Sequence, residues 1–264
     1  MDIVQNENGT ADRHRGDERL RELGRDEFHE SLGALSRLAT SRLSLEESLT
    51  SVAQFGVRAI PGADGGGLTL LERERQDTTV ATDPLVEEIE DIQYSLGQGP
   101  CITAAGTGAT VSSGSLGADP RWPRFGSRAA RLGVHSALSV PLVTADGVVG
   151  AMNVYARAKH AFDTRARELG TLFAVPAAVA VQNASVLAQT RRLAIRLQQS
   201  LEDRGVVDRA VGILMSRAGG TEAEALNRLR ALSQHEHRKL TAVAQSIVDA
   251  AVRRARSGRV SSAG

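Results

Sequence analysis

The chain has 264 residues, of which 41% are hydrophobic, 24% charged and 3% aromatic, with a formal net charge of +1. That length suggests two domains, or one domain with a long helical appendage, and is ample for a sizeable core. The longest unbroken apolar run, Leu172 to Val181, has ten residues and contains Pro176, about half of what a bilayer span needs, so no membrane segment and a cytoplasmic location are expected.

The N-terminal MDIVQNENGTADRHRGDE offers no apolar stretch, so no signal peptide is expected, and residues 1–26 read as a disordered tail. Helical spacing begins with Phe28, Leu32, Leu35 and Leu38. Ser44 and Glu47 form a capping box ahead of Leu49, Val52, Phe55 and Val57, and Pro61-Gly62 stops that helix. From Gly65 the runs GLTLLER and TTVATD look like strands parted by the charged turn ERERQD, and Leu85 to Leu96 reads as a surface helix before the glycine loop LGQGPC. In HSALSVPLVTADGVVGAMNVYAR two apolar runs flank Asp146-Gly147, which predicts an antiparallel hairpin with strands at about 136–144 and 147–156.

A long helix is expected from about 164 to 217, kinked or restarted at Pro176. Leu169, Phe173, Pro176, Ala180, Ala184 and Leu187 recur at steps of three and four, a seam suited equally to pairing with a second copy or to packing within the domain. Val207, Ala210, Ile213 and Leu214 mark its last segment, which Gly219-Gly220 ends. Thr221 and Glu224 cap a helix carrying Ala225, Leu226, Leu229 and Leu232, and a third follows from about Lys239 with Leu240, Val243, Ala244, Ile247, Val248 and Ala251. This last quarter is also electrically distinct. Residues 191–264 hold 14 Lys+Arg against 7 Asp+Glu, a net of +7, whereas residues 1–190 hold 18 against 24, a net of −6. Such a basic segment is the footprint expected of a nucleic-acid contact.

Residues 209–250, RAVGILMSRAGGTEAEALNRLRALSQHEHRKLTAVAQSIVDA, resemble an ANTAR domain, the three-helix RNA-binding module of bacterial antitermination regulators. Ala210, Gly212, Leu214 and Met215 reproduce its A-x-G-x-L-M core, followed by Ala225, Leu229-Arg230, Arg238-Lys239-Leu240, Ala244 and Ile247-Val248; Val211 stands where many members carry lysine. LGQGPCITAAGTGATV, DPRWPRF, SALSVPL, GVVGAMNVYA and AFD make the region before it similar to a GAF domain. The resemblances imply an α+β GAF-like domain, an antiparallel sheet flanked by helices, followed by an all-α three-helix ANTAR-like domain, the two joined by a long helix. The expected boundaries are 27–190 for the sensor domain and 191–256 for the RNA-binding domain, with a second disordered tail over 257–264.

Arg209, Arg217, Arg228, Arg230, Arg238 and Lys239 fall where the apolar periodicity leaves them toward solvent, and as cations they are suited to grip phosphates and base edges. No aromatic residue follows Phe173, so readout should rest on arginine, hydroxyl and amide groups, with Gln234, Ser233 and Asn227 as candidates. His235 and His237 diverge by about 200° on a helix and lack further ligands, so no metal is expected. Cys101, the single cysteine, excludes an internal disulfide; at a helix start it is a candidate redox sensor, with a small buried packing role as the alternative. His135, before an apolar strand, is a candidate ligand contact or a simple strand-entry residue.

No phosphate loop, H-E-x-x-H, G-x-S-x-G or complete dinucleotide motif occurs, and the N-K-F-D-E set of cyclic-nucleotide-binding GAF members is not evident. The chain is expected to be a regulator without catalytic residues or cofactor. In it a GAF sensor with an unidentified small-molecule ligand modulates an ANTAR domain that binds RNA stem-loops as a homodimer. A ligand-responsive DNA-binding transcription factor using the same helices is the alternative, although SQHEHRK lacks the short glycine turn common in helix-turn-helix proteins.

Overall fold

The computed structural model describes residues 26–38, 43–71 and 78–261, with side chains to residue 254. The expected 1–26 tail, apart from Asp26, and the ERERQD turn lie outside the described residues, as do 262–264. The chain divides into two compact units at the 188/189 boundary.

The first unit begins with α1 (26–38) and α2 (Leu45–Ala59). The Ser44 hydroxyl accepts from Glu47 N while the Glu47 carboxylate accepts from Ser44 N at 2.8 Å, so the capping box forms as its sequence predicts. Then come β1 (Gly65–Leu70), β2 (Thr78–Ala81), α3 (Pro84–Leu96), α4 (Pro100–Thr107), β3 (Val111–Ser113), α5 (Pro123–Arg131), β4 (Ser136–Thr144) and β5 (Gly147–Ala156). The strands form one antiparallel sheet in the order β2-β1-β5-β4-β3, and the β4–β5 hairpin has the predicted boundaries.

Period-two alternation gives this sheet two unlike faces. Leu68, Leu70, Leu138, Val140, Leu142, Met152 and Val154 join Leu49, Val52 and Ala53 of α2 in an aliphatic core. Gly67, Thr69, Ala137, Ser139, Ala151, Asn153 and Tyr155 face the other way, toward α3, α4 and α5, where Ala137 and Tyr155 pack with Val86, Ile89, Ala104, Trp122 and Phe125. Full burial of a Leu-sized side chain contributes roughly 2 kcal/mol, so the aliphatic side carries most of the cohesion.

A single 55-residue helix, α6 (Thr164–Ala218), runs through Pro176 without a restart. Its Ala166, Phe173, Ala174, Ala177, Ala178 and Val181 complete the aliphatic core, so Phe173 of the expected seam is an interior residue. Of the other seam positions, Leu169, Pro176, Ala180 and Ala184 are half-buried and Leu187 is exposed. By length and composition α6 would also pass as a membrane span, yet this buried face is spent on the sheet.

The second unit comprises the end of α6, α7 (Glu222–His235) and α8 (Leu240–Ser261). Gly219 and Gly220, both at positive φ, end α6, and Gly219 N donates to Met215 O. The Thr221–Glu224 capping box opens α7. Ala210, Val211, Ala225, Leu229, Val243 and Ala244 form the core of this bundle. α8 continues to Ser261, into the stretch expected as a tail over 257–264; its alanines and arginines are good helix formers and no proline stops it.

Candidate nucleic-acid interface and sensor cluster

On the helical unit, Arg209, Arg217, Arg228, Arg230, Gln234, Arg238 and Lys239 are all exposed. Arg209 and Arg217 lie on α6, Arg228, Arg230 and Gln234 on α7, and Arg238 and Lys239 in the α7–α8 connection. Arg228 helps hold the Glu224 carboxyl below its ordinary range, an effect dominated by the Thr221 backbone hydrogen bond. Arg238 is different in kind: it donates to Glu236 at 2.8 Å, to Ser246 Oγ at 2.9 Å and to Ala242 O at 3.3 Å. It therefore ties the connection to the start of α8. The Ser233 hydroxyl donates to Arg238 O at 2.6 Å, which commits the hydroxyl proposed for readout to the same turn. Val211 is buried and belongs to the core of the bundle, so this position offers no contact to RNA. His237 takes a positive φ and belongs to the connection, in keeping with a turn at the helix end.

In the first unit the polar residues gather where sequence periodicity gave no warning. Asp83 caps α3 by accepting from Leu85 N and Val86 N, and this presents Glu90, Gln93 and Tyr94 toward the sheet. Glu90 is 1% exposed; its Oε1 accepts from Asn153 Nδ2 at 2.7 Å and Tyr155 OH at 3.0 Å, and its Oε2 accepts from Gln93 Nε2 at 3.1 Å. Burial pushes its carboxyl up to about 7, against the downward pull of Asn153, Tyr155 and Gln93. Gly67 permits the close approach: a Cβ there would lie 2.7 Å from Glu90 Oε1. Gln93 Oε1 also accepts from Cys101 N at 2.9 Å, locking α4 to α3.

Cys101 is fully buried with its thiol 3.4 Å from Tyr94 OH, and desolvation pushes it up to about 12. A redox sensor needs an accessible thiolate, and both the burial and the upward shift work against one at this residue. His135 is half-buried at the entry to β4, where its N–H donates to Ala156 O and its carbonyl accepts from Leu116 N. Arg121 stacks 4.2 Å over the Trp122 ring and hydrogen-bonds Asp119, holding that carboxyl down to about 2. Gln98 Oε1 accepts from Arg124 N and Phe125 N and so caps α5. Among the described residues no cluster of His, Cys, Asp and Glu could hold a metal.

The GAF domain family model matches residues 42–182, and the ANTAR domain model matches 196–248. Solved structures give distant likenesses. The GAF domain of an Acinetobacter phosphoenolpyruvate-protein phosphotransferase is 16% identical, covering 61% of this chain and 97% of its own, with a TM-score of 0.46. That of Coxiella burnetii is 13% identical, covering 62% and 97%, with a TM-score of 0.46. A free methionine-R-sulfoxide reductase from Neisseria meningitidis is 17% identical, covering 61% and 91%, with a TM-score of 0.44. No curated protein matches. Sheet, capping boxes and helical bundle coincide with the two matched spans, and the pairing points to regulation rather than catalysis. The chain belongs to the GAF domain family and carries an ANTAR domain, the RNA-binding module of antitermination regulators, after it.

Proposed function

We propose that this is a cytoplasmic antitermination regulator in which the GAF domain senses a small molecule and modulates an ANTAR domain, over 191–256, that binds paired stem-loops in nascent transcripts. The observation that carries the reading is the ANTAR match over 196–248; the exposed cations on the matched helices, in a segment of net charge +7, support it. Arg209, Arg217, Arg228, Arg230 and Lys239 supply the phosphate grip, Gln234 a polar contact, and Arg238 positions the connection between them.

Each phosphate contact lowers the slope of log affinity against log salt by about 0.7 to 0.9. Replacing Arg209, Arg217, Arg228 and Arg230 together by alanine should weaken hairpin-RNA binding at least a hundredfold and flatten that slope by about three. Titrations of labelled hairpin RNA over a salt series measure both, with duplex DNA as competitor. Preference for the duplex would replace this reading by the DNA-binding one.

Two RNA faces require two copies, and α6 offers the means. Leu172, Val175, Val179, Val186, Leu193, Leu197 and Leu201 are all exposed, and their steps follow the helical period on the side opposite Phe173 and Ala177. The stripe extends about 44 Å at 1.5 Å per residue, far more apolar surface than scattered exposed leucines would give. Leu193→Glu with Leu197→Glu should convert a dimer to monomer in sedimentation velocity and abolish tight binding to paired hairpins. An unchanged sedimentation coefficient would remove α6 as the dimer seam.

A further inference from the structure

The face of the sheet toward α3 and α4 is small and polar where a core face would be large and aliphatic. Along one row Gly67, Asn153 and Ser139 sit side by side on β1, β5 and β4. Glu90 lies over that row with three neutral donors, and among the described residues no Arg, Lys or His pairs with it. Asn153 Oδ1 and Ser139 Oγ, on residues that are 0% exposed, have no hydrogen-bond partner. A buried acceptor left without a donor is costly, because its water partner is lost and not replaced. Here two fall on cross-strand partners beside a buried, unpaired carboxylate.

We infer that this cluster is the receptor for a compact ligand bearing a protonated nitrogen, an ammonium ion or small primary-amine cation, whose N–H groups are accepted by Glu90, Asn153 Oδ1 and Ser139 Oγ. The assignment rests on the sensor reading of the GAF domain and adds the chemistry of its signal. Ammonium has donors only, and the cluster holds unspent acceptors. An anion such as nitrate, acetate or phosphate would face a carboxylate and two lone-pair oxygens with no cation to receive it. The cluster is closed to solvent: Glu90, Gln93, Cys101, Asn153 and Tyr155 are each at most 2% exposed, which favours a compact cation over a bulky amine.

Charge chemistry agrees. A carboxylate buried without a counter-ion is costly, and a cation of matching size relieves that cost. The titratable groups facing Glu90 are Asp91 and Tyr94 on its own helix, Cys101 on α4 and Tyr155 on β5, while Gly67 and Thr69 of β1, on the same face, carry no titratable group and β2 brings the Val80 carbonyl close to Gly67. Burial holds Tyr94, Cys101 and Tyr155 protonated. Glu90, at about 7, is the group whose proton a cation must displace, so binding should tighten about tenfold from pH 6 to pH 8.

The test titrates the full chain with ammonium chloride and methylammonium chloride against sodium chloride, sodium nitrate and sodium acetate at matched ionic strength, followed by calorimetry and thermal shift. Expected are saturable binding of the two nitrogen cations only, the tenfold pH effect, loss in Glu90→Gln, and at least fivefold weakening in Ser139→Ala. Emission of Trp122 and the melting temperature in sodium chloride report whether each variant is folded. If Glu90→Gln fails to fold, Ser139→Ala and the pH profile decide. No cation-specific binding, equal binding by folded Glu90→Gln, or preference for nitrate or acetate would overturn the assignment. Hairpin-RNA affinity is measured on the same samples: its absence alone would sink the regulator reading and leave the ligand assignment standing.

Discussion

Leu229→Ala is expected to melt the helical unit while the GAF domain stays folded. Leu229 is 0% exposed and is the largest fully buried side chain of a core that has only five other buried members, Ala210, Val211, Ala225, Val243 and Ala244. Leucine-to-alanine truncation in a core costs about 2–5 kcal/mol, and a bundle this small holds only a few kcal/mol in reserve. Hydrogen exchange should show α7 and α8 amides losing protection while β1, β4 and β5 keep theirs, and hairpin-RNA binding should vanish with α7. Leu232→Ala on the same helix, 39% exposed, should cost under about 1 kcal/mol. Equal protection in Leu229→Ala and the parent chain would show that the bundle draws its stability from elsewhere.

Glu90→Gln should change the pH dependence of GAF-domain stability in a defined window. In the unfolded chain this carboxyl titrates near 4.5, and in the fold burial moves it to about 7. The folded state thus keeps a proton that the unfolded chain gives up, so stability falls as pH rises from 4.5 to 7 and stays level above. The displacement corresponds to about 3 kcal/mol. Glutamine is neutral in both states, so the variant should gain about that much on the parent between pH 4.5 and 8, whatever offset its altered hydrogen bonds impose. Asp119, held down to about 2 by Arg121, titrates below the window and does not blur it. Urea denaturation of both proteins across this range is the measurement, and parallel profiles would contradict the assignment.

What the sequence made legible follows from local rules. Both capping boxes, the β4–β5 hairpin and the glycine stop after α6 are set by a few neighbouring residues, and each appears where those residues predict. β3 and α5 were not foreseen: one has three residues, and the other opens at Pro123 after Trp122 and borrows its cap from Gln98, 26 positions away. Arg238 looked like its neighbours in sequence, and only the positions of Ser246 and Ala242 on the next helix distinguish it. The Glu90 cluster was hidden because Asn153 lies 63 residues from Glu90. One signal was available: at alternate positions GGGLTL, SALSVPL and GAMNVYA place mainly small or polar residues between large aliphatic ones. The exposed stripe of α6 was likewise readable as a 3.6 period from Leu172 to Leu201, in competition with the neighbouring period that runs through Phe173.

Because cohesion and polarity sit on opposite sides of one thin sheet, the scaffold and the receptor are separable under mutation. Exchanges at Thr69, Ser139 or Asn153 retune what is recognised while Leu68, Leu138 and Val154 go on holding the strands together.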